Sequence, residues 1–449
     1  MTAHKLIREF KVSKNNLSDN EKKVLIKLEK AAALVGPIYG LQINDRYPGA
    51  NFYPHDITRE EILSAYKEDP LILSPYTVVE RKKNGKLEAI PYHIKYAKQL
   101  KPVIKFLKEA AFLTDNKNFA SRLEVQADAL ESGSYEAADI YWLTMKPYKI
   151  DIIIGPIERY EDSLFFKKTC YSAIVGIIDS KATKEALKIR DIITSSHRKS
   201  FSFSQRIIPT NMIQVRIDQA SISAGLSARV LFAGMDLPND PSLVEKYGSQ
   251  VIVLSNIVKY NFEEIHYPIF KKIFESTFQK GYNSELLLSA SQKLLLIREI
   301  FTLQVKYSDA EARLRELYPV INEMASYVLA VKSAGSLLMK DVIFQKELEA
   351  IMILFLSRAF DSFILSKDIK SMMHYSHGYA IAINYFLEHG SLRERNGISW
   401  INFTKMFIDL NGLASLLDQI LAFGDYQDAK RLIAEYGDIS KCLKLIPKI

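Results

Sequence analysis

The chain has 449 residues, of which 48% are hydrophobic and 25% charged. Those proportions exclude a disordered or fibrous protein, and the length calls for two lobes because single cores stop growing near ~300 residues. The net charge of +8 is spread among acidic residues, with no basic run beyond pieces such as Arg81-Lys82-Lys83. The surface therefore reads as mixed-charge and solvated, with no nucleic-acid footprint.

Residues 1–16 are charged and lack the apolar stretch of a secretory signal. A helix is expected over 20–35. Gly36-Pro37, Tyr47-Pro48-Gly49, Asp69-Pro70, Ser74-Pro75 and Gly155-Pro156 read as turns. Residues 76–80, then Asn84-Gly85, then 87–90 read as a hairpin, followed by a helix over 93–113. Residues 150–154 (IDIII) and 251–254 (VIVL) read as buried strands. Twelve of the fifteen prolines precede Pro268. Beyond it, apolar residues fall at helical spacing over 286–305, 312–339, 347–364, 369–387, 403–422 and 426–436.

The expected fold class is therefore mostly helical α+β in two lobes. A mixed α/β lobe covers 1–245 and a mainly helical lobe covers 246–449, with the C-terminal helices packing back on the first. The longest apolar run of the second half, 350–356, is far short of the ~20 residues of a membrane helix. Two cysteines, Cys170 and Cys442, cannot make a disulfide framework. These features point to a reducing compartment, with a cytoplasmic protein and no membrane partner expected. A phosphate-binding glycine loop, a Rossmann fingerprint, paired CxxC motifs, a GxSxG elbow and HExxH are all absent.

Three stretches carry a resemblance. They are Tyr141-Trp142-Leu143-Thr144-Met145-Lys146-Pro147, the strand at 150–154, and Gly155-Pro156-Ile157-Glu158-Arg159-Tyr160-Glu161-Asp162. Together they resemble the dipeptidyl peptidase III metallopeptidases, in the short branch found in bacteria and attached to a plant Nudix hydrolase. Asn51-Phe52-Tyr53-Pro54, Ser74-Pro75-Tyr76-Thr77-Val78-Val79, Pro91-Tyr92, Leu237-Pro238-Asn239-Asp240, Ser376-His377-Gly378 and Asn384-Tyr385-Phe386 extend it over roughly residues 20–440. The resemblance implies a wide cleft between two lobes and one zinc ion. Two histidines of an HExxH-like helix and a glutamate of an EExxAD-like helix would hold that ion, leaving an open position for water.

At those positions the resemblance places Arg298 and Thr302 for the two histidines, Ala330 for the glutamate ligand and Ala334 for the aspartate. A cation, a hydroxyl and a methyl group cannot hold Zn²⁺, so no metal or other cofactor is expected. Glu299 matches the family's base and His377 its assisting histidine. Arg298 would either anchor an anion or fill the cavity beside a carboxylate. Glu299 would be an ion-pair partner or, in a repurposed enzyme, an acid/base with His377.

Glu158 and Tyr160 are expected to contact ligand, and with Glu161 and Asp162 to line the cleft or join the lobes. His374 with His377, and Glu263, Glu264 and His266, are the remaining metal-type groupings, and Cys170 reads as a buried thiol. The expectation is a zinc-free, non-peptidase pseudoenzyme that binds a peptide-like ligand, a small anion or a partner protein. The alternative is an enzyme working on a non-peptide or modified amino-acid substrate.

Overall fold

The computed structural model describes residues 6–197, 203, 208–304, 307, 309–368, 373–394 and 398–445. They cluster in two compact units. Unit 1 holds Met1–Asp179, Asp218–Phe232 and Pro238–Tyr247; unit 2 holds Ser180–Ile217, Ala233–Leu237 and Gly248–Ile449. The division does not follow one cut near residue 245: Ser180–Ile217 belongs with the later part of the chain, and the C-terminal helices lie within unit 2.

In unit 1, strand β1 (Ile7–Glu9) is followed by helix α1 (Asp19–Ala33). A capping box starts the helix: Ser18 accepts from the Glu21 amide, and Glu21 accepts from the Ser18 amide. Val24, Leu25, Leu28, Ala31 and Ala32 recur at helical spacing and are buried. The expected hairpin is formed by β2 (Thr77–Arg81) and β3 (Leu87–Pro91), and Gly85 supplies its left-handed turn at φ 83°. Helices α2 (Ala97–Leu113) and α3 (Lys117–Ser132) pack on each other and on the sheet core. A short helix, α4 (Glu136–Thr144), then leads to the sheet.

That sheet pairs β4 (Ile150–Glu158) with β5 (Cys170–Ile178), and β5 with β6 (Ile213–Gly225), all antiparallel. Strand alternation sends Ile150, Ile152, Ile154, Tyr171, Ala173, Val175, Ile222 and Ala224 into the helix-covered core. Gly155-Pro156 is not the turn expected from the sequence. It continues β4, with a bulge between Pro156 and Glu158. Proline is tolerated because β4 ends the sheet order, so its missing N–H breaks no ladder bond. The outer edge is closed from α3, where Arg122 and Gln126 donate to the carbonyls of Ile152 (2.7 Å) and Ile154 (2.8 Å). Gly36-Pro37 likewise lies in the first turn of a helix, Val35–Gln42, where a proline ring is pre-organised.

Unit 2 takes β6 through Ile217 and adds α5 (Ser180–His197) and the antiparallel pair β7 (Gly234–Leu237) and β8 (Ser249–Leu254). Its helical body is α6 (Ser284–Thr302), α7 (Tyr318–Met339), α8 (Gln345–Asp368), α9 (Met373–Glu388), α10 (Phe403–Phe423) and α11 (Tyr426–Tyr436), with a small hairpin, β9 (Leu392–Glu394) and β10 (Ile398–Ile401). Helix α7 is buried on most of its circumference and packs against α5, α6, α8, α9 and α10. The helix expected over 312–339 is broken. Ala310–Leu314 stops, Arg315 takes φ 55°, and α7 restarts with Pro319 in its first turn. Residues 369–372 of the expected 369–387 helix lie outside the described residues.

Helix α10 is long and apolar enough to cross a membrane. It nevertheless carries Lys405, Asp409 and Asp418, the last accepting from the Tyr307 hydroxyl, as a core helix does.

Lys168, at the entrance to β5, is fully buried. Its ammonium donates to the carbonyls of Ile72 (2.7 Å) and Ser74 (2.9 Å) and to the Thr77 hydroxyl (2.7 Å). All three N–H bonds are satisfied, tying the segment before β2 to the sheet. Lys168→Met removes the donor and strands three acceptors, so we expect a loss of about 3 kcal/mol or more in denaturant unfolding. A change below ~0.5 kcal/mol would show that the cage does not stabilise unit 1.

Candidate functional site: a buried guanidinium between two carboxylates

Asn283 caps α6, accepting from the Leu286 amide at 2.8 Å, and the helix buries leucines on several faces down to Arg298, Glu299 and Thr302. From α7 come Glu323 and, one turn on, Tyr327. Arg298 Nη1 donates to both oxygens of Glu299 (2.9 Å each), and Nη2 donates to Glu323 Oε2 (2.8 Å). Its guanidinium carbon lies 5.4 Å from the Tyr327 ring centroid, a cation–π contact. Nε alone has no hydrogen-bond partner. Burial opposes the charge, but Glu299 and Glu323 outweigh it and hold Arg298 above its usual value.

Glu299 is 2% exposed. Burial pushes its carboxyl up against the pull of Arg298, and the like charges of Asp236 and Glu323 add to the rise, bringing it from 4.5 to about 7. Strand β7 lies directly over this carboxyl: a Cβ on Gly234 would sit 2.9 Å from Glu299 Oε1 and 3.0 Å from Leu295 Cγ. Glycine is therefore required for this close approach. Thr302 spends its hydroxyl on the Glu299 carbonyl (2.8 Å) and lies 3.4 Å from Asp236 Oδ2.

These residues do not fit a zinc ion. The guanidinium at 298 has both terminal nitrogens on carboxylates, Thr302 is turned to its own helix, and Ala330 and Ala334 are fully buried methyl groups. Among the described residues, no group of three His, Cys, Asp or Glu is placed to hold a metal. The α7 residue that meets Arg298 is Glu323, two turns before Ala330. Sequence reading missed it. The signal was present, since Glu323 is the sole acidic residue of the 22 in α7. Both terminal nitrogens of Arg298 are engaged by the chain's own carboxylates.

His377 lies on α9, its Nδ1 3.1 Å from the Gly437 carbonyl, beside Asn384, which donates to the carbonyls of Tyr436 (2.6 Å) and Asp438 (3.0 Å). The two side chains fasten the turn after α11, and no hydrogen bond joins His377 to Glu299. Gly378 lets α9 approach α7, since a Cβ there would lie 3.1 Å from the Val320 carbonyl. His374 packs on Tyr375 with ring centroids 4.2 Å apart. The Glu263, Glu264 and His266 grouping is divided: both glutamates are exposed, while His266 is buried facing Asp361 at 3.5 Å.

Glu158 and Tyr160 belong to unit 1. Glu158 closes β4 opposite Cys170, and the Tyr160 ring lies 5.4 Å from that of Phe232. Their acidic neighbours anchor the segment within unit 1. Glu161 accepts from Tyr39 (2.6 Å) and from Arg229 (3.0 and 3.1 Å), which also reaches Asp45 at 2.9 Å. Asp162 is fully buried and accepts from the Tyr53 hydroxyl and the amides of Leu164, Phe165, Lys167 and Lys168. Cys170 and Cys442 are both buried and unpaired.

No protein-family model matches the chain. The fold is that of dipeptidyl peptidase III. The enzyme of Caldithrix abyssi superposes with a TM-score of 0.84 at 24% identity, covering 98% of this chain and 95% of that one. That of Corallococcus sp. strain EGB superposes at 0.82 with 22% identity, covering 98% and 93%. In sequence, the chain is 25% identical over 433 residues to Nudix hydrolase 3 of Arabidopsis thaliana, covering 88% of this chain and 55% of that protein. It thus spans about half the length of this curated relative.

The raised Glu299 carboxyl has a consequence for stability. Its native value lies above the unfolded one, so between pH 4.5 and about 7 the native state binds more protons than the unfolded state. The stability it contributes is complete below pH 4.5 and is lost as pH rises through about 7. Denaturant unfolding should show wild type losing about 3 kcal/mol more than Glu299→Gln between pH 4.5 and pH 8. Parallel profiles would mean that Glu299 titrates normally.

Proposed function

We propose that this protein is a zinc-free, non-peptidase form of the dipeptidyl peptidase III fold, in which a fixed arginine stands in place of the metal and unit 2 binds a peptide-like ligand. The observation that carries this reading is the Arg298 guanidinium shared between Glu299 and Glu323. A permanent cation already pairs with the carboxylates there, and neither it nor Thr302 can turn bound water into a nucleophile.

The edge position of β7 supports a peptide-like ligand. The strand ends the sheet order beside Glu299, and strand addition uses main-chain hydrogen bonds that need no metal. A partner protein presenting an extended segment would use the same edge. A cytoplasmic setting is the one that two buried free thiols support. One observation favours an acid/base enzyme instead: a buried Glu299 near 7 is suited to moving a proton at neutral pH. In that reading Glu299 acts without His377, whose ring is tied to Gly437.

Two measurements test the proposal. Elemental analysis of the purified protein should find no stoichiometric metal, and dipeptidyl-arylamides should remain uncleaved with or without added zinc. Stoichiometric zinc with hydrolysis would overturn it. The register of α7 against α6 is tested separately. Arg298→His with Thr302→His, leaving Glu323 in place, should gain one zinc per chain and need no Ala330→Glu. If zinc binds only when Ala330→Glu is added, Glu323 is not at the former ligand position.

A further inference from the structure

Unit 1 contains a pocket of about 680 Å³ that takes no part in the reading above. It lies among the Asn51–His55 segment, β2 and the start of α2. One wall is built around Asn51, whose Nδ2 donates to the carbonyls of Leu41 and Ile43 (3.0 Å each). That fixes the amide, so its Oδ1 accepts from Asn44 Nδ2 (3.0 Å) and from His55 Nε2 (3.1 Å). The proton of a neutral His55 is thereby held on Nε2, leaving Nδ1 as an acceptor. The imidazole lies flat on Tyr47, with centroids 3.8 Å apart and planes 7° from parallel. Gln99 also lines the pocket, and its side-chain amide makes no hydrogen bond among the described residues.

The pocket presents charge of both signs. Lys95 pairs with Glu80, and Arg81 pairs with Glu61 and Asp56. The side chains of these pairs are 29–72% exposed, and exposed ion pairs contribute under ~1 kcal/mol. Ligand groups of matching charge can therefore exchange into them. Pro54, Val78 and Val79 supply apolar surface. The Val79 amide is already taken by the Phe52 carbonyl at 2.8 Å. The β2 edge is closed at this point, and an occupant must be held by side chains.

We propose that this pocket binds a small zwitterion of amino-acid or dipeptide size with an apolar side chain. Its carboxylate pairs with Arg81 and Lys95, its ammonium pairs with Glu80, and its side chain rests on Pro54, Val78 and Val79. His55 and Gln99 complete the polar contacts.

Isothermal titration of the full chain with leucine and with leucyl-leucine tests this. At least one should bind saturably, with Kd between about 10 µM and 1 mM. N-acetylation or C-amidation of that ligand should each weaken binding about tenfold or more, since each removes one charged partner. Arg81→Ala should weaken the free ligand about tenfold while leaving the C-amide unchanged, and Glu80→Gln should do the same for the N-acetyl form. Arg298→Ala should leave binding intact. Absence of binding by either ligand at about 10 mM, or equal affinity for free and blocked forms, would overturn the proposal. So would loss on Arg298→Ala with Arg81→Ala silent, a result that would place the ligand in unit 2 and leave the reading of that site standing.

Discussion

A guanidinium that is largely withdrawn from water must find anionic partners, and at Arg298 that requirement organises the centre of unit 2. An unpaired buried charge costs several kcal/mol, whereas Nη1 shared between both Glu299 oxygens and Nη2 on Glu323 compensate it. The second bond spans α6 and α7, and α7 is the helix against which much of the unit packs. The pair also dictates its surroundings. Tyr327 lies over the cation, and β7 must present Gly234 to the Glu299 carboxylate because no side chain fits between them. Three carboxylates, Asp236, Glu299 and Glu323, surround one fixed cation. Burial of Glu299, with the like charges of Asp236 and Glu323 adding to it, raises its carboxyl to about 7 against the pull of Arg298.

Unit 1 follows the same rule at other places. The loop after β4 carries two acidic residues that point inward. One is satisfied by a tyrosine and an arginine, the other by a tyrosine and four backbone amides. Lys168, next to it, is satisfied by two carbonyls and a hydroxyl. The loop is thus held by charge-assisted hydrogen bonds, which are stronger and more directional than apolar contacts. Within the GPIExYED stretch, Glu161 and Asp162 are posts that set where Glu158 and Tyr160 sit.

Much of the architecture was legible in the residues. Alternation and β-branched runs gave β4, β8 and the β2–β3 hairpin, and helical spacing gave α6, α8, α10 and α11, because each of these elements buries a face that its own periodicity reveals. The failures have physical causes. Gly155-Pro156 resembles a turn, but at a sheet edge the missing amide of Pro156 costs nothing and the strand continues. The 312–339 pattern reads as one helix, but the chain breaks at Arg315, with φ 55°, and restarts with Pro319 in the first turn. Strands β5 and β6 went unplaced: β6 mixes Arg216, Asp218 and serines into its run, and only its neighbours make those residues buried.

The sequence by itself determined the chemistry available at 298 and 302: a guanidinium and a hydroxyl, neither suited to holding zinc. It also determined the mostly helical second half, since helical periodicity is a local property. Which carboxylate meets Arg298 was decided only by tertiary structure. Glu323 and Ala330 lie two turns apart on nearly the same face of α7, and the sequence does not say at what height α6 crosses it. That height is set by side-chain packing between the helices, and with it come the engagement of both terminal guanidinium nitrogens and the raised Glu299 carboxyl, while the packing of α9 against α11 ties His377 to a backbone carbonyl.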